Sequence, residues 1–164
     1  MKARDIMGFT EPNLRLSEGR GAFGLPAMLT RLRAAGLSGR GFVVLDHVCR
    51  ETGRVRRSTV EIVARSVDVV IVAAGFGVAS DWFQDLECHP DTTVRIGRRA
   101  MAVRAERVDA EARSQAMTTY ARQHPAAARR LTRLMGFAVD GTDVDYRAVG
   151  AALHMLRLQS PPPA

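Results

Sequence analysis

Lysine is all but missing from this sequence: of the 24 basic residues only Lys2 is a lysine, and the rest are arginines. Aromatic side chains are scarce as well, at 5% of residues, and are not interleaved with the arginines. Single-strand nucleic-acid binders use such interleaving for base stacking, so nucleic acid is not an expected partner. Two cysteines, Cys49 and Cys88, are too few for a disulfide framework and read as reduced thiols, small apolar residues of a core. No long hydrophobic run exists. The longest, residues 67–78, is broken by Asp68, Gly75 and Gly77 and falls short of the ~20 apolar residues of a spanning helix. Residues 1–10 lack a signal peptide's apolar centre, so the expectation is a cytoplasmic protein with no integral membrane segment.

What is present suits one globular domain. A chain of 164 residues with 46% hydrophobic content can bury a sizeable core unaided; at this size folding hides roughly 70% of the surface of the unfolded chain. The net charge of +7 sits on guanidinium groups, whose planar fork suits phosphate and carboxylate, so an anionic ligand is expected.

Residues 1–24, with Pro12, Gly19, Gly21 and Gly24, show no sustained period and read as an irregular arm before a single domain over residues 25–160, with a Pro-rich tail at 161–164. Leu25, Met28, Leu29 and Leu32 fit a short helix ending near Gly36. Apolar, β-branched segments predict strands over 41–48, 58–64, 67–73, 92–96, 100–108 and 155–158. The second and third join at Arg65 and Ser66, and Gly97-Arg98 makes another turn. Ser80 is placed to cap a short helix that turns Trp82, Phe83 and Leu86 inward. Asp109 opens a helix on which Ala112, Ala116 and Tyr120 share a stripe, Pro125 opens another running to Met135, and residues 143–153 a third. Short antiparallel strands interrupted by helices imply an α+β fold with a small closed or half-closed barrel.

Two segments concentrate the chemistry. Residues 50–57 (RETGRVRR) set four arginines and Glu51 between two apolar strands, where guanidinium and backbone N–H groups can hold a phosphate. A solvated hairpin turn has the same composition. Ala73-Ala74-Gly75-Phe76-Gly77, followed by Ser80-Asp81-Trp82, combines small residues that admit a planar ligand with a helix N-terminus that attracts an anion. An ordinary strand-to-helix loop would look alike.

Taken in order, VLDHVCRETGRVRRSTVEIV, IVAAGFGVASDWFQDLECHPDTTVRIG and YARQHPAAARRLTRLMGFAVDGTDVD resemble the deazaflavin-dependent nitroreductase family of split β-barrel oxidoreductases. The family reads Gly-Arg-Lys-Ser-Gly, a variable residue, then Pro-Arg in the first block, and Ser-Asp-Trp-Tyr-any-Asn-Leu in the second. The resemblance spans about residues 42–158. It implies a split β-barrel of antiparallel strands with flanking helices, and hydride transfer from reduced coenzyme F420 to a quinone, nitroaromatic or activated alkene. By matching positions it puts Arg50, Thr52, Arg54 and Arg56 on the cofactor's phosphate and acidic tail. Ala74, Gly75, Gly77 and Ser80 would pass beside its ring, with Trp82 supporting that wall. Tyr120 and His124 fall where relatives carry residues near the substrate and could supply the proton that complements a hydride. A homodimer binding a small-molecule substrate is implied, with flavin mononucleotide the lesser cofactor candidate.

Four positions depart from the family pattern: Cys49 for the first loop glycine, Glu51 for lysine, Val55 for proline and Asp85 for asparagine. Two added carboxylates would oppose an acidic cofactor unless an arginine pairs them. This opens a second reading in which the cofactor is lost and the same pocket serves a cofactor-free isomerase, cyclase or lyase of secondary metabolism. Glu51, Asp85 and Asp46 would then act as acid or base, and His47 or His124 as proton carriers. A metal held by His47, Cys49, Cys88 and His89 is not expected, because their spacing matches no familiar zinc module.

Overall fold

The computed structural model describes residues 41–75 and 77–161, apart from the side chain of Leu134. The expected arm over 1–24, the helix over 25–36 and the last three residues of the tail lie outside the described residues.

Six strands close into an antiparallel barrel: β1 (Phe42–Val48), β2 (Val55–Arg65), β3 (Val69–Ala74), β4 (Asp91–Ile96), β5 (Arg99–Arg107) and β6 (His154–Gln159). Around the barrel they run β1-β2-β3-β6-β5-β4, with β4 returning to β1. Closure leaves no exposed sheet edge. The expected α+β barrel is thus the fold, with all six expected strands in place.

Alternation builds the core. In β1 every second residue is buried, so Val43, Leu45 and His47 point into the barrel while Asp46 faces outward. Val60 and Ile62 of β2, Val70, Val72 and Ala74 of β3, Val94 of β4, Val103 of β5 and Leu156 and Leu158 of β6 complete the interior. Between Ile62 and Ala64 a bulge shifts the β2–β3 register.

The described residues also form four helices: α1 (Asp81–Cys88), α2 (Ala110–Gln123), α3 (Pro125–Leu134) and α4 (Asp143–Ala152). Helix α1 closes one end of the barrel, adding Phe83 and Leu86 to the interior with Trp82 packed against it. Each such fully buried side chain contributes roughly 1.5–3 kcal/mol. Helices α2 and α4 cover the outer wall and build a second core with Val63, Ile71, Ala73 and Met155 around Met117, Tyr120, Tyr146 and Val149. The expected stripe on α2 is the one that packs there. Gly150 makes this approach close: a Cβ on it would lie 2.6 Å from the Arg113 carbonyl oxygen and 2.7 Å from the Ser114 Cα.

Local detail corrects several expectations. β2 begins at Val55 rather than residue 58, because the turn is tighter than the polar run suggested: Cys49 N–H donates to the Arg54 carbonyl (2.8 Å), and Gly53 N–H to that of Cys49 (2.8 Å). Gly53 takes φ +67° there, a conformation open chiefly to glycine. Arg56 and Arg57 therefore sit on a strand. Ser80 starts α1 through its carbonyl, which accepts from Phe83 N–H, and its side chain makes no cap. Cys49 is buried as expected, but Cys88 is exposed, because it ends α1 on the side away from Asp85 and Leu86, which face the barrel.

Candidate functional site

The basic hairpin and the first turn of α1 meet at the barrel end. Arg50 Nη1 donates to Asp81 Oδ1 (3.2 Å) and to Asp85 Oδ1 (2.9 Å), while Arg50 N–H reaches the same Asp85 oxygen at 3.0 Å. Arg56 Nη1 stands 3.6 Å from Asp81 Oδ2. Glu51, expected to oppose an anion, is exposed and lies 3.8 Å from Arg50 Nη2. Thr52 and Arg54 are exposed, and the Thr52 hydroxyl accepts weakly from Arg54 N–H (3.4 Å).

Asp85 is the centre of this arrangement. It is fully buried, and its second oxygen accepts from His47 Nδ1 at 2.8 Å. Burial by itself would raise the carboxyl's pKa, but the hydrogen bonds from the Arg50 backbone and guanidinium and from His47 outweigh it, holding the group below the usual carboxylate range. The same bonds raise Arg50. The carboxylate expected to repel an acidic ligand is thus already matched by a cation, which takes up much of Arg50 in doing so. His47, 2% exposed, presents Nε2 to Ser58 Oγ at 2.9 Å. It is committed to Asp85 and Ser58 rather than to Cys49. Among the described residues no group of three or more His, Cys, Asp or Glu could hold a metal ion.

The small-residue segment runs toward α1. Ala74 turns its methyl into the barrel and is 1% exposed, and its carbonyl already accepts from Gly77 N–H, so it is closed to a ligand. A Cβ on Gly75 would lie 3.2 Å from the Met135 sulfur. Gly77, at φ +77°, has nothing among the described residues within 4 Å of the position a Cβ would take. Trp82 is partly buried, edge-on to Phe83 with ring centroids 5.8 Å apart.

Three other expected residues lie elsewhere. Asp46 is on the barrel's outer face, bridging Arg57 Nε (2.7 Å) and Arg95 Nη2 (2.8 Å), and the hydrogen bond from Arg57 leads the causes that lower its pKa. Tyr120 belongs to the second core under α2. It is fully buried and its hydroxyl donates to Glu61 Oε1 of β2. Burial, with the Glu61 carboxylate beside it, pushes that phenol far above its ordinary pKa. His124 is half-buried, its ring 5.4 Å from that of Tyr120.

Two participants went unread in the sequence, Ser58 and Glu61. Both were legible in principle from period two: Ser58 shares a face with Arg56 and Val60, and Glu61 with Val63. Their partners lie 11 and 59 positions away, which no local pattern reveals.

Among solved structures, one described as an F420-H2 dependent reductase superposes with a TM-score of 0.50 at 13% identity, covering 73% of this chain and 95% of its own. The heme storage protein HutZ from Vibrio cholerae gives 0.50 at 13% identity, covering 82% and 90%. A structure described as a domain-swapped dimer also gives 0.50 at 13%, covering 82% and 99%. At such identity these likenesses speak for the barrel alone. No curated protein matches the chain in sequence. The family model for F420H(2)-dependent quinone reductase matches residues 30–137, more than half of the chain and including both segments that meet at Asp81. The chain belongs to the F420H(2)-dependent quinone reductase family.

Proposed function

We propose that the protein is a reductase carrying a hydride from reduced coenzyme F420 to a small organic acceptor such as a quinone, a nitroaromatic or an activated alkene. The observation that carries this reading is the convergence of the basic hairpin and the first turn of α1 on Asp81, in a chain of that family. The residues present fit the group. Arg54 and Arg56 offer exposed guanidinium groups to a phosphate and an acidic tail, and Thr52 adds a hydroxyl. Arg50 can join them by releasing Asp81, which it holds at the exposed side of the cluster. Gly75, Gly77 and Ser80 offer partly exposed backbone to the ring, while Ala74 is buried beneath them, and Trp82 backs that wall.

When bound, the reduced deazaflavin supplies the hydride. The chain's own part is to hold the phosphate and tail by charge and to fix the ring by shape. The two groups expected near the substrate, Tyr120 tied to Glu61 in the core and His124 beside its ring, lie away from the barrel end, so neither carries the proton there. Flavin mononucleotide lacks the acidic tail and gains less from the arginines. A homodimer remains part of this reading, and light scattering on the purified protein tests it.

One observation favours the second reading, a cofactor-free isomerase, cyclase or lyase: Arg50, the innermost cation of the hairpin, is engaged by two aspartates. Titration with coenzyme F420 in parallel with flavin mononucleotide separates the two. Selective binding of the deazaflavin, weakened about tenfold by Arg54→Ala or Arg56→Ala, supports the reductase. Failure to bind either cofactor overturns it and leaves the cofactor-free reading.

A further inference from the structure

We propose that Ser58, His47 and Asp85 form a nucleophilic centre for acyl transfer from activated carboxylic esters, separate from hydride transfer and not dependent on a cofactor. The three side chains stand in a hydrogen-bonded line, Asp85 Oδ2 to His47 Nδ1 at 2.8 Å and His47 Nε2 to Ser58 Oγ at 2.9 Å. This is the relation in which a base activates a hydroxyl while a third group orients the base.

Each link follows from the one before. Asp85 is held as a carboxylate by three donors, so it can only accept. His47 must therefore give it the Nδ1 proton. In the neutral ring that leaves a lone pair on Nε2, and among the described residues the Ser58 hydroxyl is its hydrogen-bond partner. The imidazole cannot turn away, because it is 2% exposed and gripped at both nitrogens. The strand register explains the meeting: His47 pairs with Arg56 and Leu45 with Ser58, so Ser58 is the diagonal neighbour of His47 on the inward face. Ser58 itself is half-buried near the barrel end, unlike the sealed histidine behind it. Arg56, two residues along on the same face and half-exposed, stands 3.6 Å from Asp81 Oδ2, a loose pairing that its guanidinium would leave to meet the oxyanion.

The chemistry balances. As Ser58 Oγ bonds to the ester carbonyl carbon, its proton passes to His47 Nε2. The tetrahedral adduct collapses by breaking the bond to the alcohol oxygen, and the alcohol leaves with the proton from His47. Water then repeats the sequence on the acyl-serine and releases the carboxylic acid. Ser58 and His47 are the catalytic residues, and Asp85 is a positioning residue. The groups facing the imidazole are Asp85 from α1, Ser58 and Arg56 from β2, and Arg50 through Asp85.

The test treats the full-length protein with a tagged fluorophosphonate and maps the adduct by mass spectrometry, alongside hydrolysis of p-nitrophenyl acetate. One adduct per chain on Ser58 is expected. Ser58→Ala should abolish it and reduce esterase turnover about 100-fold, and His47→Gln should slow labelling about as much. Asp85→Asn should slow labelling and alter its pH profile, which a merely structural carboxylate would not do. Ser58→Ala removes a single oxygen and leaves the buried His47 Nε2 without that partner, so it should unfold somewhat below the wild-type temperature yet remain folded at assay temperature, and the test survives if the other two variants fold poorly. Ser66→Ala, in an exposed turn, should label like wild type. No adduct, an adduct on another residue, or esterase turnover unchanged in Ser58→Ala would overturn the proposal.

Discussion

Two carboxylates sit in two covered regions of this molecule, and they titrate in opposite directions. Asp85, at the barrel end, is fully buried and receives three hydrogen bonds, two from Arg50 and one from His47. Glu61, on the outer wall under α2, accepts a hydrogen bond from the Tyr120 hydroxyl. Burial dominates at Glu61 and raises its pKa, with the Tyr120 hydrogen bond opposing, whereas at Asp85 the donors overcome burial and lower it. Covering a carboxylate does not decide its charge; the number and charge of its donors does. The barrel end is therefore a region of fixed charge and the helical wall one that favours neutrality.

The largest break in this contrast is Asp85→Ala. It leaves the buried His47 and the Arg50 guanidinium without their shared acceptor and unties α1 from the hairpin. The loss should be about 3 kcal/mol in denaturant unfolding at neutral pH. Asp85→Asn, which keeps one acceptor oxygen, should lose less. Because the native pKa of Asp85 is depressed, its contribution is complete above the unfolded value, about 3.9, and disappears as pH falls through the lower native value. Wild type should therefore weaken steeply below about pH 4 and Asp85→Ala much less steeply. Parallel acid profiles for the two proteins would mean that Asp85 is not the charged centre of this end.

A smaller effect is expected from Tyr120→Phe. The ring keeps its packing in the second core, so the change isolates the hydrogen bond to Glu61 and should cost about 1 kcal/mol. It should also raise the Glu61 carboxyl further, since the phenol is what holds it down. A carbon-detected titration of Glu61 in both proteins reads this directly. An unchanged or lower titration point in Tyr120→Phe would remove the hydrogen bond from the account.

How much of the contrast was legible beforehand follows from the range of the forces. Alternation in FVVLDHV and VVIVAA is local and marks both strands, and the four-residue stripe on α2 marks the face that meets the wall. The polar hairpin and the segment leading to Trp82 were legible as loops whose composition suits an anion. What the sequence hides is which loop faces which. His47 and Asp85 lie 38 positions apart, and their contact exists because barrel closure brings β1 under α1. Asp85 read as an isolated carboxylate beside an anion site, since nothing near it in the chain names Arg50 as its partner. Tyr120 read as a candidate proton donor for the same reason: the residue that takes its proton is on a strand 59 positions earlier.

The finest probe of the contrast is Glu61→Gln, which replaces the acid by a neutral group of the same shape that can still accept from Tyr120. A carboxyl whose native pKa is raised stabilises the fold fully below its unfolded value, about 4.3, and loses that contribution as pH rises through the native value. Near pH 4 the variant and wild type should unfold at nearly the same denaturant concentration. Toward pH 7 wild type must either keep a proton on Glu61 against the solvent's pull or bury a charge, and glutamine does neither. The variant should therefore become the more stable of the two as pH rises, by the smallest margin of the three changes. The paired measurement at Asp85 runs the other way, with Asp85→Asn losing ground to wild type as pH rises toward about 4 and keeping a constant deficit above it. Curves for Glu61→Gln and wild type that stay parallel from pH 4 to 7 would show that the Tyr120 hydroxyl alone already offsets burial, and the two regions would then differ in geometry but not in charge.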